Sequence, residues 1–248
     1  MSITITIAQN PQELGKRAAK KIAELLCEAI AQRGEARIIL STGASQFETM
    51  EALTAEDVDW AKVEMFHLDE YVALSESHIA SFRRYLKERF VSKVGLKAAH
   101  FVNGEGDVQK NIAALSAELR SKTVDVGVIG IGENGHIAFN DPPADFETEQ
   151  AYKVVELDGR CKQQQVGEGW FRSIQDVPVQ AITMCPRQIL SARHIVSSVP
   201  HAVKAEAVYN TLTKAVDPMV PATLLKTHAD WNLFIDHESA SKLVAWGK

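Results

Sequence analysis

One short segment of this chain carries residue types that could transfer protons. The segment GIGENGHIAFNDPPAD spans residues 130–145 and contains His136 and, five positions later, Asp141. Histidine gives and accepts protons near neutral pH, and a carboxylate that folds back onto the ring can hold it in one tautomer. The glycines allow close backbone approach, and Pro142 and Pro143 stiffen the exit. This combination favours a general acid/base over a core histidine beside a turn.

Two adjacent acids form a second candidate site. Asp69 and Glu70 directly follow the apolar run VEMFHL at residues 63–68. Side chains of consecutive residues on an extended chain point in opposite directions, so the two acids cannot share one role. We expect one to face a pocket as a base and the other to pair with a neighbour. A solvated acidic turn is the competing interpretation.

A third polar cluster, STGAS at residues 41–45, follows the apolar run ARIIL at 36–40. Backbone N–H groups at the start of a helix attract anions and the hydroxyl groups add donors, so a phosphate group would fit there. An ordinary turn in which Ser45 caps a helix is the alternative. The segment has neither the glycine–lysine pattern of a nucleotide P-loop nor the three-glycine fingerprint of a dinucleotide site.

The residues around these clusters predict alternating strands and helices. Asn10 and Glu13 mark a helix start and Gly34 its end, while Ser45 and Glu48 form a capping box at the start of a second helix. Hydrophobic periodicity predicts helices at 11–32, 46–53, 79–90, 108–120 and 204–212. Apolar runs predict strands at 36–40, 63–68, 124–132, 181–184, 194–199 and 231–235.

This alternation of helices with almost wholly apolar strands predicts an α/β fold, with a mostly parallel sheet and helices on both faces. In such a sheet, ligands bind beyond the carboxyl ends of the strands, where all three polar clusters lie. No internal repeat or linker divides the sequence, so we expect a single domain over residues 1–248. The polar, weakly periodic stretch at about 142–180 is a candidate lid or small subdomain.

The composition disfavours several classes of partner. Lys and Arg number 27 and Asp and Glu 32 among 248 residues, a formal net charge of −5, and no Lys/Arg-rich run provides a nucleic-acid footprint. The sequence shows no membrane-spanning stretch and no signal peptide. Cys27, Cys161 and Cys185 form no paired motif, which is typical of a reduced protein. We expect a cytoplasmic protein without nucleic-acid or membrane partners.

Two other kinds of catalytic site have little support. A metal site would need a set of ligands, but the HExxH pattern is absent, and neither His67 nor His78 has ligand spacing with His136. A serine hydrolase would need a GxSxG elbow, which is also absent. We therefore expect neither a metal site nor a serine hydrolase.

Taken together, three motifs resemble a known family. STGAS, FHLDEYVALSESHIASFRRYLKERF and GIGENGHIAFNDP are similar to segments of the glucosamine-6-phosphate deaminases, also called glucosamine-6-phosphate isomerases. The resemblance covers nearly the whole chain. It implies a Rossmann-like, doubly wound sheet and a cofactor-free conversion of glucosamine 6-phosphate, or its galacto isomer, to the ketose 6-phosphate and ammonia. A homo-oligomer is compatible with it.

The resemblance also implies catalytic roles for four residues. Asp69 matches the acid that moves a proton between C2 and C1 of the sugar, and His136 matches the histidine that opens the pyranose ring. Asp141 matches a glutamate that supports this histidine. Asn134 stands where some members have an aspartate partner to the histidine.

Phosphate binding is the weakest part of the match. The resemblance assigns the phosphate to a loop and a lysine, which here are Thr42, Gly43, Ala44, Ser45 and Lys204. The family also has a phosphate-binding arginine in the region that corresponds to residues 159–171, and no arginine aligns with it. Arg160, Lys162 or Arg172 could substitute.

Two rival functions remain open at this stage. The related 6-phosphogluconolactonases share the fold and the glycine–histidine motif, so hydrolysis of a sugar-phosphate lactone is the alternative enzyme activity. A non-catalytic sugar-phosphate sensor is the alternative of another class. The intact Asp69, His136 and Asp141 favour an enzyme.

Overall fold

A parallel sheet of seven strands forms the centre of the computed structural model, which describes residues 2–244. The strands are β1 (Ser2–Ala8), β2 (Ala36–Leu40), β3 (Val63–His67), β4 (Asp69–Tyr71), β5 (Ala98–His100), β6 (Val126–Val128), β7 (Tyr152–Glu156), β8 (Gln180–Met184), β9 (His194–Val199) and β10 (Asp230–Asp236). The α-helices are α1 (Pro11–Arg33), α2 (Phe47–Thr54), α3 (Phe82–Leu86), α4 (Val108–Arg120), α5 (Gly159–Gly167), α6 (Pro186–Leu190), α7 (Ala205–Thr213) and α8 (Ser241–Val244). Within the described residues, none of these helices is both long enough and apolar enough to cross a membrane.

The ends of α1 follow directly from its sequence. The Asn10 side chain accepts a hydrogen bond from the backbone N–H of Glu13, and Gly34 ends the helix with a φ of 79°, a left-handed conformation that favours glycine. Between them, residues such as Leu14 and Ile22 form the buried face. The predicted start and end of this helix are confirmed.

Side chains of the large sheet enter two separate hydrophobic clusters. In β2, Ile38 and Leu40 pack with α1 and α2 on one face, whereas Ile39 belongs to the cluster that includes Leu119 of α4 and Val208 of α7. Consecutive strand side chains point to opposite faces, and β2 is apolar except for Arg37, whose buried guanidinium pairs with Glu64 of β3. The predicted α/β fold, with a mostly parallel sheet and helices on both faces, is confirmed.

The order of the strands creates a crevice. The large sheet runs β1-β10-β9-β6-β2-β3-β5, so the chain moves outward from β2 to β5, returns to β6 beside β2, and then moves outward the other way. At such a reversal, the connections after the two central strands leave on opposite faces, and a crevice opens at the carboxyl ends. The neighbouring strands β9 and β3 supply the flanking loops.

The start of α2 differs from the prediction. Ser45 lies within a 3₁₀ turn (Ala44–Gln46) and accepts a hydrogen bond from the Gln46 side chain, so the predicted capping box with Glu48 is wrong. The helix begins at Phe47 without a side-chain cap. The Gln46 amide also donates to the backbone carbonyl of Ser198 at the end of β9. A tertiary hydrogen bond, rather than a local cap, fixes this turn.

Three further elements differ from the predictions. The strand predicted at 124–132 is shorter in the structure, where β6 spans only Val126–Val128. Asp125 and Ile129 still form backbone hydrogen bonds to the neighbouring strands. The strand predicted at 181–184 exists as part of β8, but it lies between β4 and β7 in a separate antiparallel sheet. The helix predicted at 79–90 is divided into α3 and a π-helical turn.

The stretch 142–180 contains β7, α5 and a short 3₁₀ turn. Its residues Leu157 and Phe171 pack with Tyr71 and Phe139 in a third hydrophobic cluster next to the small sheet. This packing sets α5 against the loops at the carboxyl ends of the large sheet. A lid or subdomain over this stretch stays a prediction.

A buried acid anchors the loop that follows β3. The carboxylate of Glu70 in β4 accepts hydrogen bonds from the Ser81 hydroxyl and from the backbone N–H groups of Phe82 and Arg83 at the start of α3. The Arg83 side chain also lies 3.2 Å from this carboxylate. A negative charge at a helix N-terminus, next to a buried guanidinium, stabilises this arrangement. Of the two adjacent acids, Glu70 is thus the one that pairs with neighbours.

We predict that Glu70→Ala lowers the free energy of unfolding by about 3–5 kcal/mol, because Arg83 and several buried donors lose their acceptor. Glu88→Ala is the control: it removes an exposed pair, 2.8 Å long, with Arg84 and should cost less than about 1 kcal/mol. Urea unfolding at neutral pH measures both. Equally small losses would show that Glu70 is not an anchor.

Candidate active site

A cleft with about 550 Å³ of empty space, including its open mouth, lies at the carboxyl ends of β9, β6, β2 and β3. Six of the residues singled out from the sequence line it: Thr42, Gly43, Ser45, Asp69, His136 and Lys204. Asn134 and Asp141 are not among the lining residues, but both contact His136. Ala44 belongs to the same turn but is not among the lining residues. The three polar clusters of the sequence therefore meet at one place.

His136 lies in the loop after β6, and two polar side chains hold it. Its Nδ1 is 3.2 Å from Oδ1 of Asp141, close enough for an ion pair when the ring is protonated, although the two atoms are not aligned as a hydrogen bond. The Asn134 amide donates to the same carboxylate oxygen, and its carbonyl oxygen accepts the backbone N–H of His136 at 3.0 Å. Asn134 thus links the acid to the backbone of the histidine.

The charge state of Asp141 suits a supporting role. Burial by itself would raise the pKa of Asp141, but His136 and Asn134 outweigh that effect and hold the pKa below its usual value. A carboxylate beside an imidazole stabilises the protonated ring and restricts its tautomer. The geometry therefore provides an imidazole that can accept and return a proton.

The position of the histidine ring depends on a glycine. A Cβ added to Gly132 would lie 2.2 Å from ring atoms of His136, so no other residue fits without moving the ring. The Gly132 N–H donates to the backbone carbonyl of His136 at 2.8 Å, which closes the loop tightly. The expectation that a glycine here allows close approach is confirmed.

Asp69 enters the cleft from the strand that carries Glu70. Its backbone pairs with Thr183 of β8, and the residue is 7% exposed. Burial, and then the negative charge of Glu70, raise the pKa of Asp69 well above its usual value. A carboxyl group with a raised pKa in a cleft is a candidate base, because it holds a proton more strongly than an exposed aspartate.

The loop after β2 brings hydroxyl groups to the cleft. Ser41, Thr42 and Ser45 all line it, and the buried Ser41 hydroxyl has no hydrogen-bond partner among the described residues. Gly43 has a φ of 101°, a left-handed conformation that favours glycine, and its carbonyl oxygen accepts from the Tyr85 hydroxyl. The loop therefore presents hydroxyl donors to the cleft, and the hydrogen bond from Tyr85 fixes its backbone.

Lys204 supplies positive charge to the same part of the cleft. It ends a 3₁₀ turn that follows β9, and it is 5% exposed. Burial lowers the pKa of Lys204, and the negative charges of Glu168 and Glu133 partly oppose this. A buried lysine near several hydroxyl groups is suited to an anion, which would offset the cost of burying the charge.

Residues in and next to α5 form one side of the cleft, and the sequence analysis did not identify them as site residues. Gln164, Gln165 and Glu168 line the cleft, as do aromatic residues such as Phe82 and Phe139. No local motif distinguished these side chains. Only the position of Gln164, Gln165 and Glu168 within residues 159–171, where the resemblance implies a phosphate-binding arginine, could have pointed to them.

The proposed substitutes for that arginine lie elsewhere. Arg160, Lys162 and Arg172 are absent from the lining of the cleft, and both arginines are exposed. That one of them binds the phosphate stays a prediction, but none of the three lines the cleft. The polar turns of α5 place Gln164 and Glu168 there instead.

The arrangement combines three chemical functions. An imidazole with a supporting carboxylate can transfer protons at an oxygen atom, and a separate carboxyl group with a raised pKa can take a proton from carbon or from water. Hydroxyl groups and an ammonium group hold an anion. A small sugar carrying an acidic tail is the class of ligand that uses all three.

Comparison with known proteins agrees with this class. A glucosamine-6-phosphate deaminase from Listeria monocytogenes is 32% identical over 226 residues, which is 91% of this chain and 95% of that protein. The solved structure of a monomeric glucosamine-6-phosphate deaminase has a TM-score of 0.87 and 29% identity, covering 96% of this chain and 99% of that one.

More distant structures show the same fold. The 6-phosphogluconolactonase of Trypanosoma brucei has a TM-score of 0.80 at 18% identity, covering 98% of this chain and 99% of that one. The model of the family described as glucosamine-6-phosphate isomerases/6-phosphogluconolactonase matches residues 9–233. These matches confirm the resemblance found in the sequence. The chain belongs to the glucosamine-6-phosphate isomerase/6-phosphogluconolactonase family and is an enzyme of its deaminase/isomerase type.

Proposed function

We propose that this protein converts a 2-amino-2-deoxyhexose 6-phosphate, of gluco or galacto configuration, and water to the ketose 6-phosphate and ammonia. The observation that carries the proposal is the meeting of Asp69 and His136, from different strand ends, in one cleft with Ser41, Ser45 and Lys204. The deaminase names of relatives at about 30% identity support it.

Ring opening is the step assigned to His136. The pyranose opens when the C1 hydroxyl loses a proton and the ring oxygen gains one, which yields an aldehyde at C1. An imidazole that alternates between neutral and protonated forms can move this proton. Asp141 stabilises the protonated form, because its carboxylate lies 3.2 Å from Nδ1.

Isomerisation is the step assigned to Asp69. The C1 aldehyde acidifies the proton on C2, and the carboxylate removes it and returns it to C1. The C1 oxygen gains a proton and the amine nitrogen loses one, so that C1 becomes an alcohol and the C2–N bond a C=N bond. Water then adds to this imine at C2, and ammonia leaves. A base on a strand-anchored loop is held over one face of the open chain, as this transfer requires.

The 6-phosphate provides binding energy away from the reacting carbons. The hydroxyl groups of Ser41, Thr42 and Ser45, together with Lys204, form the part of the cleft that can hold it. Binding at a remote group orients the sugar so that C1 and C2 meet the proton-transfer groups. Asp69 and His136 can then act on one substrate in sequence.

A substrate panel tests the proposal. Purified protein is incubated with glucosamine 6-phosphate, galactosamine 6-phosphate and 6-phosphogluconolactone, and ammonia or acid release is measured. Ammonia from either amino sugar supports the proposal. Lactone hydrolysis without ammonia would favour the lactonase activity, and binding without any turnover would favour a sensor.

We expect Asp69→Asn to reduce ammonia formation by about 10²–10⁴-fold, because the amide cannot accept the C2 proton. Asp59→Asn is the matched control, since Asp59 is an exposed acid outside the cleft. Exchange of the C2 proton with deuterated water, followed by NMR, checks the step directly. Full exchange in the variant would assign the base to another residue.

The same variant should be more stable than the parent at neutral pH. The folded state raises the pKa of Asp69, so folding is penalised as pH rises from the unfolded-state pKa through the folded-state pKa. The neutral amide of the variant has no such penalty. The gain in Tm from Asp69→Asn should be absent in acid and increase as the pH rises above the usual pKa of an aspartate. A gain that shrinks with rising pH would contradict this sign.

We expect His136→Gln to impair cyclic substrates more than open ones. Glutamine cannot shuttle the ring-opening proton, whereas an analogue without the C4 and C5 hydroxyls can form neither a furanose nor a pyranose and needs no opening. Steady-state rates with glucosamine 6-phosphate and with this analogue give the comparison. Equal losses on both would mean that His136 acts at a different step.

A further inference from the structure

Glu168 places its carboxylate beside the loop to which the proposed function assigns the phosphate. Its Oε1 accepts a hydrogen bond from the Gln164 amide at 2.7 Å, and its Oε2 accepts one from the Trp170 indole at 3.0 Å. Oε2 lies 3.9 Å from the point that a Cβ on Gly43 would occupy. Two donors thus hold this carboxylate beside the hydroxyl-bearing loop.

The charges in this part of the cleft nearly cancel. Lys204 is its cation and Glu168 is its anion. The other side chains there are neutral, and they include Ser41, Thr42, Ser45 and Gln164. A phosphate monoester has a second pKa of about 6, so both its singly and its doubly charged forms exist near neutral pH. The doubly charged phosphate is repelled more strongly by the Glu168 carboxylate than the singly charged form is. The singly charged form can also donate a hydrogen bond from its P–OH group to that carboxylate.

We propose that Glu168 is a specificity-determining residue that makes the cleft select a tail with a single negative charge. Under the proposed function, on which this inference rests, the enzyme then binds the sugar phosphate as its monoanion. It also accepts a sulfate ester at the same position, since that group carries one charge at all relevant pH values.

Several titratable groups surround Glu168. Burial raises the pKa of Tyr71 and of Tyr85, so both stay neutral. The opposite charges of Glu48 and Arg89 act on Tyr85 together with that of Glu168.

Glu133 and Arg160 have opposite charges and line an adjoining depression together with Glu168. The negative charge of Glu133 also acts on Lys204, although Glu133 is not among the lining residues of the cleft. Among residues 2–244, Glu168 is the carboxylate that lines the cleft beside Gly43.

The test compares glucosamine 6-phosphate with glucosamine 6-sulfate. Titration of Asp69 and His136 affects both substrates, so it cancels in the ratio of their kcat/KM values. We expect the phosphate-to-sulfate ratio to fall about tenfold from pH 5.5 to pH 8, as the phosphate acquires its second charge beside a fixed carboxylate. A ratio that is flat or rises with pH overturns the proposal.

Variants assign the effect to Glu168. In Glu168→Gln the ratio at pH 8 should rise about tenfold, because the neutral amide no longer repels the second charge. Glu133→Gln removes an exposed carboxylate next to the cleft and should keep the wild-type pH dependence. Glu168→Ala is a second neutral variant if the glutamine disturbs Trp170, and Tm values check folding. If the phosphate-to-sulfate ratio still falls between pH 5.5 and pH 8 in both Glu168 variants, the proposal is overturned.

A binding measurement separates this inference from the proposed function. Glucitol 6-phosphate and glucitol 6-sulfate have no ring to open, and calorimetry gives their Kd values in the wild type and in Glu168→Gln. The same change in the phosphate-to-sulfate ratio, without ammonia from any amino sugar, would support the selectivity and reject the deaminase activity. Ammonia formation with an unchanged ratio, or binding of neither probe, would reject the selectivity.

Discussion

The reversal in strand order between β2 and β6 is the constraint on which the cleft depends. Four neighbouring strands in the order β9-β6-β2-β3 present their carboxyl ends side by side, and each delivers a different kind of group. The outer two bring an ammonium group and a carboxyl group, and the inner two bring hydroxyl groups and an imidazole. Because parallel strands share a direction, residues distant in the chain meet at one edge without any local motif linking them.

Burial of Asp69 is a local cost that the surrounding structure offsets. A buried carboxyl group beside a second acid is unfavourable when ionised, as its raised pKa reflects. The neighbouring Glu70 is stabilised by donors at the start of α3 and by Arg83. Pairing of β4 with β8 fixes the backbone of both acids. The small antiparallel sheet thus keeps the Asp69 carboxyl group buried, although its ionised form would be better solvated in water.

The parts of the structure that local chemistry determines could be predicted from the sequence. The long α1 with its Asn10 cap, the buried strand β2 and the glycine beside His136 each carry their own signal. Ser45 was misassigned because a distant carbonyl, that of Ser198, fixes its turn. The strand β1 was missed despite its alternation of threonine and isoleucine, whereas β4 and β5 are too short to show a period. Glu168 reaches the cleft only through tertiary packing of α5, which no sequence period encodes.

Two aspartates in the same site have opposite electrostatic environments, and this difference separates their roles. Burial and the charge of Glu70 raise the pKa of Asp69, whereas His136 and Asn134 hold the pKa of Asp141 below the usual value. A group that must take and return a proton needs an affinity for it, and a group that stabilises an imidazolium must stay ionised. Under the proposed function, exchanging the two environments would place an ionised, weakly basic acid at the C2 carbon and a neutral one beside the imidazole. The surroundings of each carboxyl group, more than its identity, therefore determine which chemistry it can perform.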